Sequence, residues 1–490
     1  MREELQMPYI RGESREQLTL TPMCLDDYVE ADSICRVIAA YVGNLDMAAL
    51  GFKYAEPANT GRPPHDPASM LMLYLYGYLN RIRSSRRLHA ETKRNVEVMW
   101  LMEKVTPDDK TICNFRKDNA IALQKVFREF SLWCNLQGLY GRELVAVDGT
   151  KIRANSSWRN IHTLSSTKKG LEKIDKKITE YMNELETNDA NETSEKELQS
   201  EAILEALKRL NEKKNKLNGL LEQLESGEFS EISTVDPDAH IMRQGGDGRA
   251  QDACYNVRAV VDSKNKLIVD FENSTCANDI ASLSQSVESA KEILGVTEIS
   301  AVADSGFYDG ADFERCSEKR ITCYVAKLNR GTKAPSKEYG RQNFKYDKAN
   351  DAYICPQGEI LPYKYNKKKN EPSKRVYGNI GACRVCPQRE LCTTQKRGWR
   401  EVIRCLHQDA EDEVDARMAT AEGRRIMGER KKIVEHPFGT IKKVWGFNSF
   451  LCRSVEKTTA EVSLTFLAYN FRRTFNIFKE SGKNLIEILA

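Results

Sequence analysis

The sequence predicts an α/β protein: a mixed sheet flanked by helices, with an all-α amino-terminal region and two insertions. Two short apolar runs lead into acidic residues, Val145–Val147 before Asp148 and Ile299–Ala303 before Asp304, as expected of buried strands. Amphipathic helical patterns separate the strands, and a stretch rich in Lys and Glu interrupts them. The chain has 490 residues, 40% hydrophobic and 30% charged. That length and composition suit a globular protein of about two to four domains.

Residues 1–140 are predicted to form a helical, DNA-binding amino-terminal domain. Asp66 and Pro67 mark the start of a helix, and a short break near Ser84 leads into a second one. Basic side chains around that break include Arg83, Arg86 and Arg87. The pattern suits contacts with DNA phosphates, and it suits equally well a helical bundle with a solvated basic face.

Residues 166–227 are predicted to be an inserted coiled-coil hairpin. Apolar side chains recur at spacings of three and four residues over Leu171–Leu185 and over Ile203–Leu224. The polar interruption Thr187–Ser194 separates the two helices. We expect an architectural or partner-binding role for this insertion rather than chemistry.

The remaining elements predict the core. The first strand is followed by a two-stranded hairpin, a helix that starts near Asn278 or Asp279 and ends at Gly295, a strand, a short helix and a last strand. This is the element order of a ribonuclease-H-like fold, in which Asp148 and Asp304 would end neighbouring strands. The core is assembled from residues 141–165 and 228–328, and helices within residues 411–490 complete it.

Glu435 is a lone acid in the basic and aromatic stretch IVEHPFGTIKKVWGF, near the end of a predicted long helix. With Asp148 and Asp304 it supplies three carboxylates, the hard oxygen ligands with which two Mg²⁺ ions about 4 Å apart support phosphoryl transfer. The cations that would grip a DNA backbone beside it are Arg430, Lys431 and Lys442. The alternative is an ordinary surface ion pair between Glu435 and a neighbouring lysine.

Residues 329–410 are predicted to be a basic, cysteine-rich insertion. Three cysteines are spaced C-x2-C-x5-C and a fourth precedes them in YICPQG. These residues are Cys355, Cys383, Cys386 and Cys392. Four thiolates can form a closed structural Zn²⁺ site, in which Cys405 or His407 could replace one ligand. The alternative is four reduced thiols.

Bulk properties exclude several other classes of protein. A net charge of +4 is too small to prove a polyanionic partner. The longest apolar run, Met70–Leu79, is too short to span a membrane, and the amino terminus has no apolar signal segment. We therefore expect a cytoplasmic protein with mostly reduced cysteines. The sequence has no glycine-rich phosphate loop, so no nucleotide cofactor is expected.

Nearly the whole chain resembles the DDE transposases of bacterial insertion sequences. GRPPHDPASMLMLYLYGYLNRIRSSRRLHAE is similar to the amino-terminal domain of one transposase group. DPDAHIMRQGGDGRAQDACYNVRAVVD is similar to the segment that leads into the second and third strands. VAVDGTKIRANSS, AVADSGFYDG and VEHPFGTIKKVWGF resemble the three catalytic blocks. Together these motifs are specific, although each alone is weak.

The resemblance implies that Asp148, Asp304 and Glu435 are the catalytic triad and that Asp279 is a supporting acid. It implies Mg²⁺-dependent hydrolysis at transposon ends, with Mn²⁺ as a substitute, and then attack of the freed 3′-hydroxyl on target DNA. Double-stranded DNA would be bound by a homodimer in a synaptic complex. The setting would be the bacterial cytoplasm, with association with the nucleoid through DNA.

The chain departs from one pattern of its relatives, which often carry a Tyr, an Arg, the Glu and a Lys in spaced series. Lys442 fits the last position, but Lys431 and Gly428 stand at the Arg and Tyr positions. Lysine keeps the charge and lacks the bidentate fork of arginine. Arg430 is the candidate substitute.

Two other functions fit the same residues. One is a non-catalytic DNA-binding protein, such as a domesticated transposase, and the three intact acids argue against it. The other is a DNA endonuclease that cuts without joining strands. The sequence alone does not separate that enzyme from a transposase, because the same site serves both steps.

Overall fold

The computed structural model describes residues 24–56, 63–189, 194–244, 250–327, 334–368 and 371–489. The chain divides into two compact units, Met1–Leu123 with Phe471–Ala490, and Gln124–Asn470. A mixed α/β architecture with a helical amino-terminal region is confirmed. Parts of several predicted features lie outside the described residues. They are the start of the amino-terminal domain and of its motif GRPPHDPASM, the interruption Thr187–Ser194, the motif QGGDGRA, the last residue of the predicted core, and residues 329–333 and 369–370 of the cysteine-rich insertion.

The smaller unit is helical. The helix predicted at Asp66 is present, and the Asp66 carboxylate accepts the N–H groups of Ala68 and Ser69 at 3.1 and 3.0 Å. Nearly every side chain of that helix is buried, which makes it the centre of the unit. The helices are Ile34–Gly43 (α1), Met47–Leu50 (α2), Pro67–Leu79 (α3), Ser85–Arg94 (α4), Val96–Leu101 (α5) and Asp109–Asp118 (α6). Helix Ala120–Leu136 (α7) leads into the larger unit.

A curled mixed sheet forms the centre of the larger unit. Its strands, with one short separate pair, are Leu144–Arg153 (β1), Ile161–Thr163 (β2), Glu231–Ser233 (β3), His240–Gln244 (β4), Ala250–Asp262 (β5), Ile268–Ser274 (β6), Ile299–Ala303 (β7) and Ile321–Val325 (β8). The order is β4-β5-β1-β7-β8, and β6 also pairs with β5. Strand β5 runs antiparallel to β1, β4 and β6, whereas β7 is parallel to β1 and to β8. Strands β2 and β3 pair with each other.

Strand β1 is longer than predicted. The apolar run Val145–Val147 predicts a strand that ends at Asp148, but β1 continues to Arg153, because β5 pairs with it as far as Cys254. Asp148 therefore lies inside the strand, at the point where the parallel pairing with β7 stops. Strand β7 ends at Ala303 as predicted, and Asp304 is the next residue.

The remaining helices follow in chain order. They are Leu164–Asp189 (α8), Ser194–Glu225 (α9), Leu283–Leu294 (α10), Gly310–Glu318 (α11), Ile380–Val385 (α12), Arg389–Cys392 (α13), Gln408–Ala419 (α14), Ala421–Phe438 (α15), Val455–Glu480 (α16) and Leu485–Leu489 (α17). All of them lie in the larger unit except α17 and the part of α16 from Phe471 onward, which belong to the smaller unit. Helix α10 begins later than predicted, after Ser282, since the Asp279 side chain is engaged by the sheet rather than by a helix start. In the described part of the chain, no helix is long and apolar enough to cross a membrane.

The long helix predicted from Asp412 to Glu435 is two helices, α14 and α15. Thr420 separates them, and its hydroxyl accepts the N–H of Gly423 at 3.0 Å, so it caps the start of α15. Helix α15 continues through Pro437, and a π-helical turn, Gly439–Val444, follows it. A proline removes a backbone donor, and such a turn accommodates the resulting irregularity.

Helices α8 and α9 fold back on each other. Lys168 pairs with Glu225 at 2.8 Å and Asp175 with Lys214 at 2.7 Å, so the two helices run antiparallel. Apolar side chains buried along the pair are Ile174, Leu207, Leu217 and Leu224.

The cysteine-rich insertion contains its own antiparallel sheet. Its strands are Lys345–Asp347 (β9), Ala352–Ile354 (β10), Ile360–Lys368 (β11), Glu371–Tyr377 (β12) and Val402–Cys405 (β13), in the order β13-β12-β11-β10-β9. A small core packs on this sheet, made of Phe344, Tyr353, Leu361, Tyr377 and Val402. Cys355 and Cys392 pack against that core.

Candidate functional site

The pairing of β1 with β7 places two aspartates side by side. Val147 and Ala303 are the last partners in this parallel register, and Asp148 and Asp304 follow them. One Asp304 carboxylate oxygen accepts the N–H of Gly306 at 2.8 Å, which holds this side chain at the turn after β7. The prediction that these two acids lie on neighbouring strands agrees with this register.

Asp148 carries a charge in an unfavourable place. Burial raises the pKa of its carboxyl to about 6; Arg430 opposes this shift, and the negative charges of Asp304 and Asp279 reinforce it. An Arg430 nitrogen lies 3.7 Å from the Asp148 carboxylate, and the N–H of Gly149 donates to the same group at 3.0 Å. Burial is therefore the main cause of this shift, and Arg430 offsets it only in part.

Asp279 is held by polar side chains of the sheet. Asn256 donates to its carboxylate at 2.6 Å, while Arg258 and Lys151 approach it at 3.5 and 3.9 Å. Gly149 leaves room for this approach, because a Cβ atom there would lie 2.8 Å from an Asp279 oxygen. The structure thus brings the predicted supporting acid close enough to Asp148 for their charges to interact.

Sequence reasoning missed Lys151, Asn256 and Arg258. Asn256 and Arg258 are buried on β5, within the otherwise apolar stretch YNVRAVV. Polar residues inside a buried strand need partners, so this interruption of the apolar pattern was the available signal. The interrupted apolar pattern could not identify Asp279 as the partner of these side chains, since Asp279 is remote from them in sequence.

Helix α15 carries Glu435 across the sheet. The helix packs on β1, β7 and β8, and Ile433 and Val434 are its buried contacts near Glu435. The Glu435 side chain is exposed, and it makes no hydrogen bond or ion pair with another described residue. The structure therefore brings Asp148 and Asp304 together and leaves Glu435 on the adjacent helix without contact with them.

Two of the predicted DNA-binding cations instead connect α15 and the turn after it to β1. Arg430 pairs with Asp148, as described above. The Lys442 ammonium donates to the Thr150 hydroxyl at 2.9 Å and to the Lys151 carbonyl at 3.0 Å. These contacts fix the helix on both sides of Glu435 in sequence.

The other predicted DNA-binding residues lie at the surface to different degrees. Lys431 and Arg87 are exposed, and Arg83 is half-buried. Arg86 is exposed and pairs with Asp109 at 3.5 Å, a contact worth little in solvent. Their role in binding DNA remains a prediction.

The donor set fits a hard divalent cation in kind. Two adjacent carboxylates, one of them half-buried and opposed by like charge, gain from a cation placed between them. As the side chains stand, no three or more His, Cys, Asp or Glu residues within the described ranges are gathered closely enough to hold a metal ion. Glu435 would have to move closer to Asp148 and Asp304 for the three carboxylates to bind the same metal ions.

The four predicted zinc ligands share one small cavity in the insertion, lined by Cys355, Cys383, Cys386 and Cys392 among others. Cys405 lies on β13 opposite Lys374, and it does not line this cavity. His407 is engaged by Glu314 at 2.6 Å.

Two family models match the chain. The family described as Transposase DDE domain matches residues 354–475, which include Glu435, and the family described as Transposase domain (DUF772) matches residues 23–118. No curated protein matches the chain, and no solved structure does. The amino-terminal match covers most of the smaller unit, and the second match covers the insertion from residue 354 onward together with α14 and α15. Both matches agree with the resemblance given by the sequence motifs, and together they support a DDE transposase of the insertion-sequence type.

Proposed function

We propose that the chain cleaves transposon DNA ends and transfers them into target DNA, with Asp148, Asp304 and Glu435 as one Mg²⁺-dependent site. The observation that carries this proposal is the parallel register of Val147 with Ala303, since it sets the two aspartates next to each other. Both matching families are described as transposase domains, which supports transposition as the activity.

The sheet supports a ribonuclease-H-like core. Its order β6-β5-β1-β7-β8, with the first three strands antiparallel and the last two parallel to β1, fits the ribonuclease-H-like element order predicted from the sequence. In an open sheet of this kind, functional groups collect at the edge where neighbouring strands end. Asp148 and Asp304 lie at the point where the β1–β7 pairing ends, and α15 passes over that region.

The chain's own residues would hold the metal ions and the DNA in place. When bound, two Mg²⁺ ions, or Mn²⁺ in their place, would activate the nucleophile and stabilise the leaving oxygen. Asp148 and Asp304 would bind them from the sheet and Glu435 from α15. Water would be the nucleophile in cleavage, and the freed DNA 3′-hydroxyl in strand transfer.

The remaining residues have supporting roles in this proposal. Asp279, held by Asn256 and Arg258, would keep its negative charge near Asp148 and so favour binding of a divalent cation. Arg430 would balance Asp148 in the absence of metal. Lys431 is free to contact a DNA phosphate, because its side chain is exposed.

Double-stranded DNA and a second copy of the chain are the proposed partners. We assign recognition of transposon ends to the predicted domain 1–140, through Arg83, Arg86 and Arg87. Two ends must be brought together for transposition, so a homodimer in a synaptic complex is expected. We propose that α8 and α9 form a coiled coil and are the candidate dimer contact. The protein would act in the bacterial cytoplasm, at the nucleoid when bound to DNA.

The test is a cleavage and joining assay on DNA that carries the ends of the encoding element. We expect Asp148→Ala, Asp304→Ala and Glu435→Ala each to lower Mg²⁺-dependent cleavage by at least about a thousandfold, since removing any member of a unit abolishes its action. Glu429→Ala is the matched control, because Glu429 lies on the same helix and pairs with Lys432 at 2.9 Å. It should leave cleavage unchanged.

The outcomes separate the alternatives. Cleavage that survives all three substitutions would reject the site. Cleavage without joining would favour an endonuclease, and DNA binding without metal-dependent chemistry would favour a domesticated, non-catalytic protein.

A further inference from the structure

The cysteine-rich insertion contains a cavity whose size suits an ion. Its volume is about 30 Å³, and thiol-bearing residues from two separate chain segments line it: Cys355, Cys383, Cys386 and Cys392. A cavity of this size holds a single ion or water molecule, whereas organic ligands need roughly 300 Å³ or more. The family matches assign no role to it.

The local backbone presents one thiol from a tight turn. Cys355 follows β10, and its N–H and carbonyl bond to Glu359 and Gly358 at 2.9 and 2.8 Å. Gly358 has a φ of +84°, which closes the turn and favours glycine. The turn is compact, so the Cys355 thiol could bind a metal ion that lies close to the backbone.

The other three thiols come from two short helices. Cys383 lies in α12, Cys386 is the residue directly after α12, and Cys392 is the last residue of α13. The N–H of Cys386 bonds to the carbonyl of Cys383 at 3.4 Å, which keeps this C-x2-C pair in one turn. A C-x2-C pair together with a turn cysteine and a fourth thiol is a ligand set of tetrahedral zinc sites.

The electrostatics require a cation if the thiols ionise. Arg389 and Arg400 are the basic side chains that line this cavity. Two arginines cannot balance four thiolates there, so ionised thiols need a cation bonded to them as well.

We propose that Cys355, Cys383, Cys386 and Cys392 bind one structural Zn²⁺ ion that fastens the loop after β10 to α12 and α13. The structure narrows the ligand set, because Cys405 and His407 lie outside the cavity lining. Four thiolates leave no open coordination position, so this zinc would stabilise and would not catalyse. The site is independent of the chemistry proposed for the carboxylates.

Zinc binding would require the thiol side chains to turn toward one another. In the described parts of the chain, three or more metal-binding side chains do not yet converge on one point. The bound ion would stabilise a region whose apolar core is small. That core consists of Phe344, Tyr353, Leu361, Tyr377 and Val402.

The experiment measures metal in the full-length protein purified without added chelator. Elemental analysis by mass spectrometry should find about one zinc ion per chain. Cys355→Ser, Cys383→Ser, Cys386→Ser and Cys392→Ser should each reduce zinc retention at least about tenfold. Cys405→Ser is the matched control and should retain zinc, since Cys405 is on the neighbouring strand β13 and outside the cavity.

Alkylation of the wild-type protein is a second test, and it does not depend on whether the cysteine variants fold. With zinc bound, the four cavity cysteines should resist a thiol reagent, and a zinc chelator should expose all four together. The exposed Cys24 and Cys276 should react in both states. A wild-type protein that retains no metal after exposure to Zn²⁺, that binds iron in preference to zinc, or whose cavity cysteines react equally in both states would overturn the proposal.

Discussion

At the residue scale, the Asp148 carboxyl links stability to function. Its pKa is raised to about 6 by burial, so the folded state binds this proton more tightly than the unfolded state, whose value is near 3.8. The favourable contribution of the protonated group is complete below about pH 4 and is lost as the pH rises through about 6. At neutral pH the metal-free protein therefore carries a destabilising charge at its candidate site.

Asp148→Asn removes that charge and keeps the shape of the side chain. We expect the metal-free variant to be more stable than the wild type by on the order of 2 kcal/mol at pH 7, and the two to converge below pH 4. Urea unfolding at both pH values in the presence of a chelator measures this difference. A gain of equal size at both pH values would show that burial of this charge is not the cause.

Lys442 was predicted to grip DNA, yet its ammonium is engaged by Thr150 and Lys151. If it positions α15, then Lys442→Ala and Thr150→Val should each slow cleavage about tenfold. Because Thr150→Val breaks one of the two contacts that Lys442→Ala removes, the double variant should be little worse than Lys442→Ala alone. The salt dependence of DNA binding should stay unchanged, whereas loss of a phosphate contact lowers the slope by about 1.

Lys431→Ala is the control for this experiment, because Lys431 is exposed on the same helix. It should lower the salt slope and leave the cleavage rate at saturating DNA nearly intact. Additive effects of the Lys442 and Thr150 changes, together with a lower salt slope in Lys442→Ala, would restore the original interpretation of Lys442 as a DNA contact.

At the element scale, the junction between α14 and α15 sets where Glu435 lies. Gly423 sits in the first turn of α15, and a Cβ atom there would lie 2.3 Å from the Arg417 carbonyl oxygen and 2.9 Å from the Met418 Cα atom. Both are backbone atoms, so the clash cannot be relieved by a side-chain rotation. The two helices approach each other at this point only because residue 423 has no side chain.

Gly423→Ala should therefore destabilise the protein by about 2 kcal/mol and lower cleavage by moving α15. Gly428→Ala is the matched control, since Gly428 is exposed in the same helix with no atom within 4 Å of an added Cβ. That change should stabilise the helix by about 0.5–1 kcal/mol. Thermal unfolding of both variants measures the difference, and equal effects would argue against a close approach of the helices.

The same junction shows what periodicity cannot predict. Helical spacing continues from Asp412 to Glu435 with little interruption, so it suggested one helix. Thr420 was a local capping signal, but its weight depends on contacts that spacing does not reveal. Likewise, the end of β1 depends on its partner β5 rather than on the apolar run that begins it.

At the scale of the whole molecule, local patterns predicted the order of elements and therefore the neighbouring acids of the sheet. They did not predict which distant segments share a unit, because that depends on contacts between residues far apart in the chain. Helix α16 was predicted as one apolar helix that completes the core. Its Asn470 does bond to Ile268 of the larger unit at 2.9 Å, but residues from Phe471 onward belong to the smaller unit.

The smaller unit is closed by that late segment. Tyr41 of α1 packs edge-on against Phe471 at 5.7 Å, Asp32 pairs with Lys479 at 3.1 Å, and α17 contacts α1. A chain emerging from the ribosome makes α1 early and Phe471 only after the entire larger unit has been translated. The smaller unit therefore stays incompletely packed until synthesis of the polypeptide has passed Phe471.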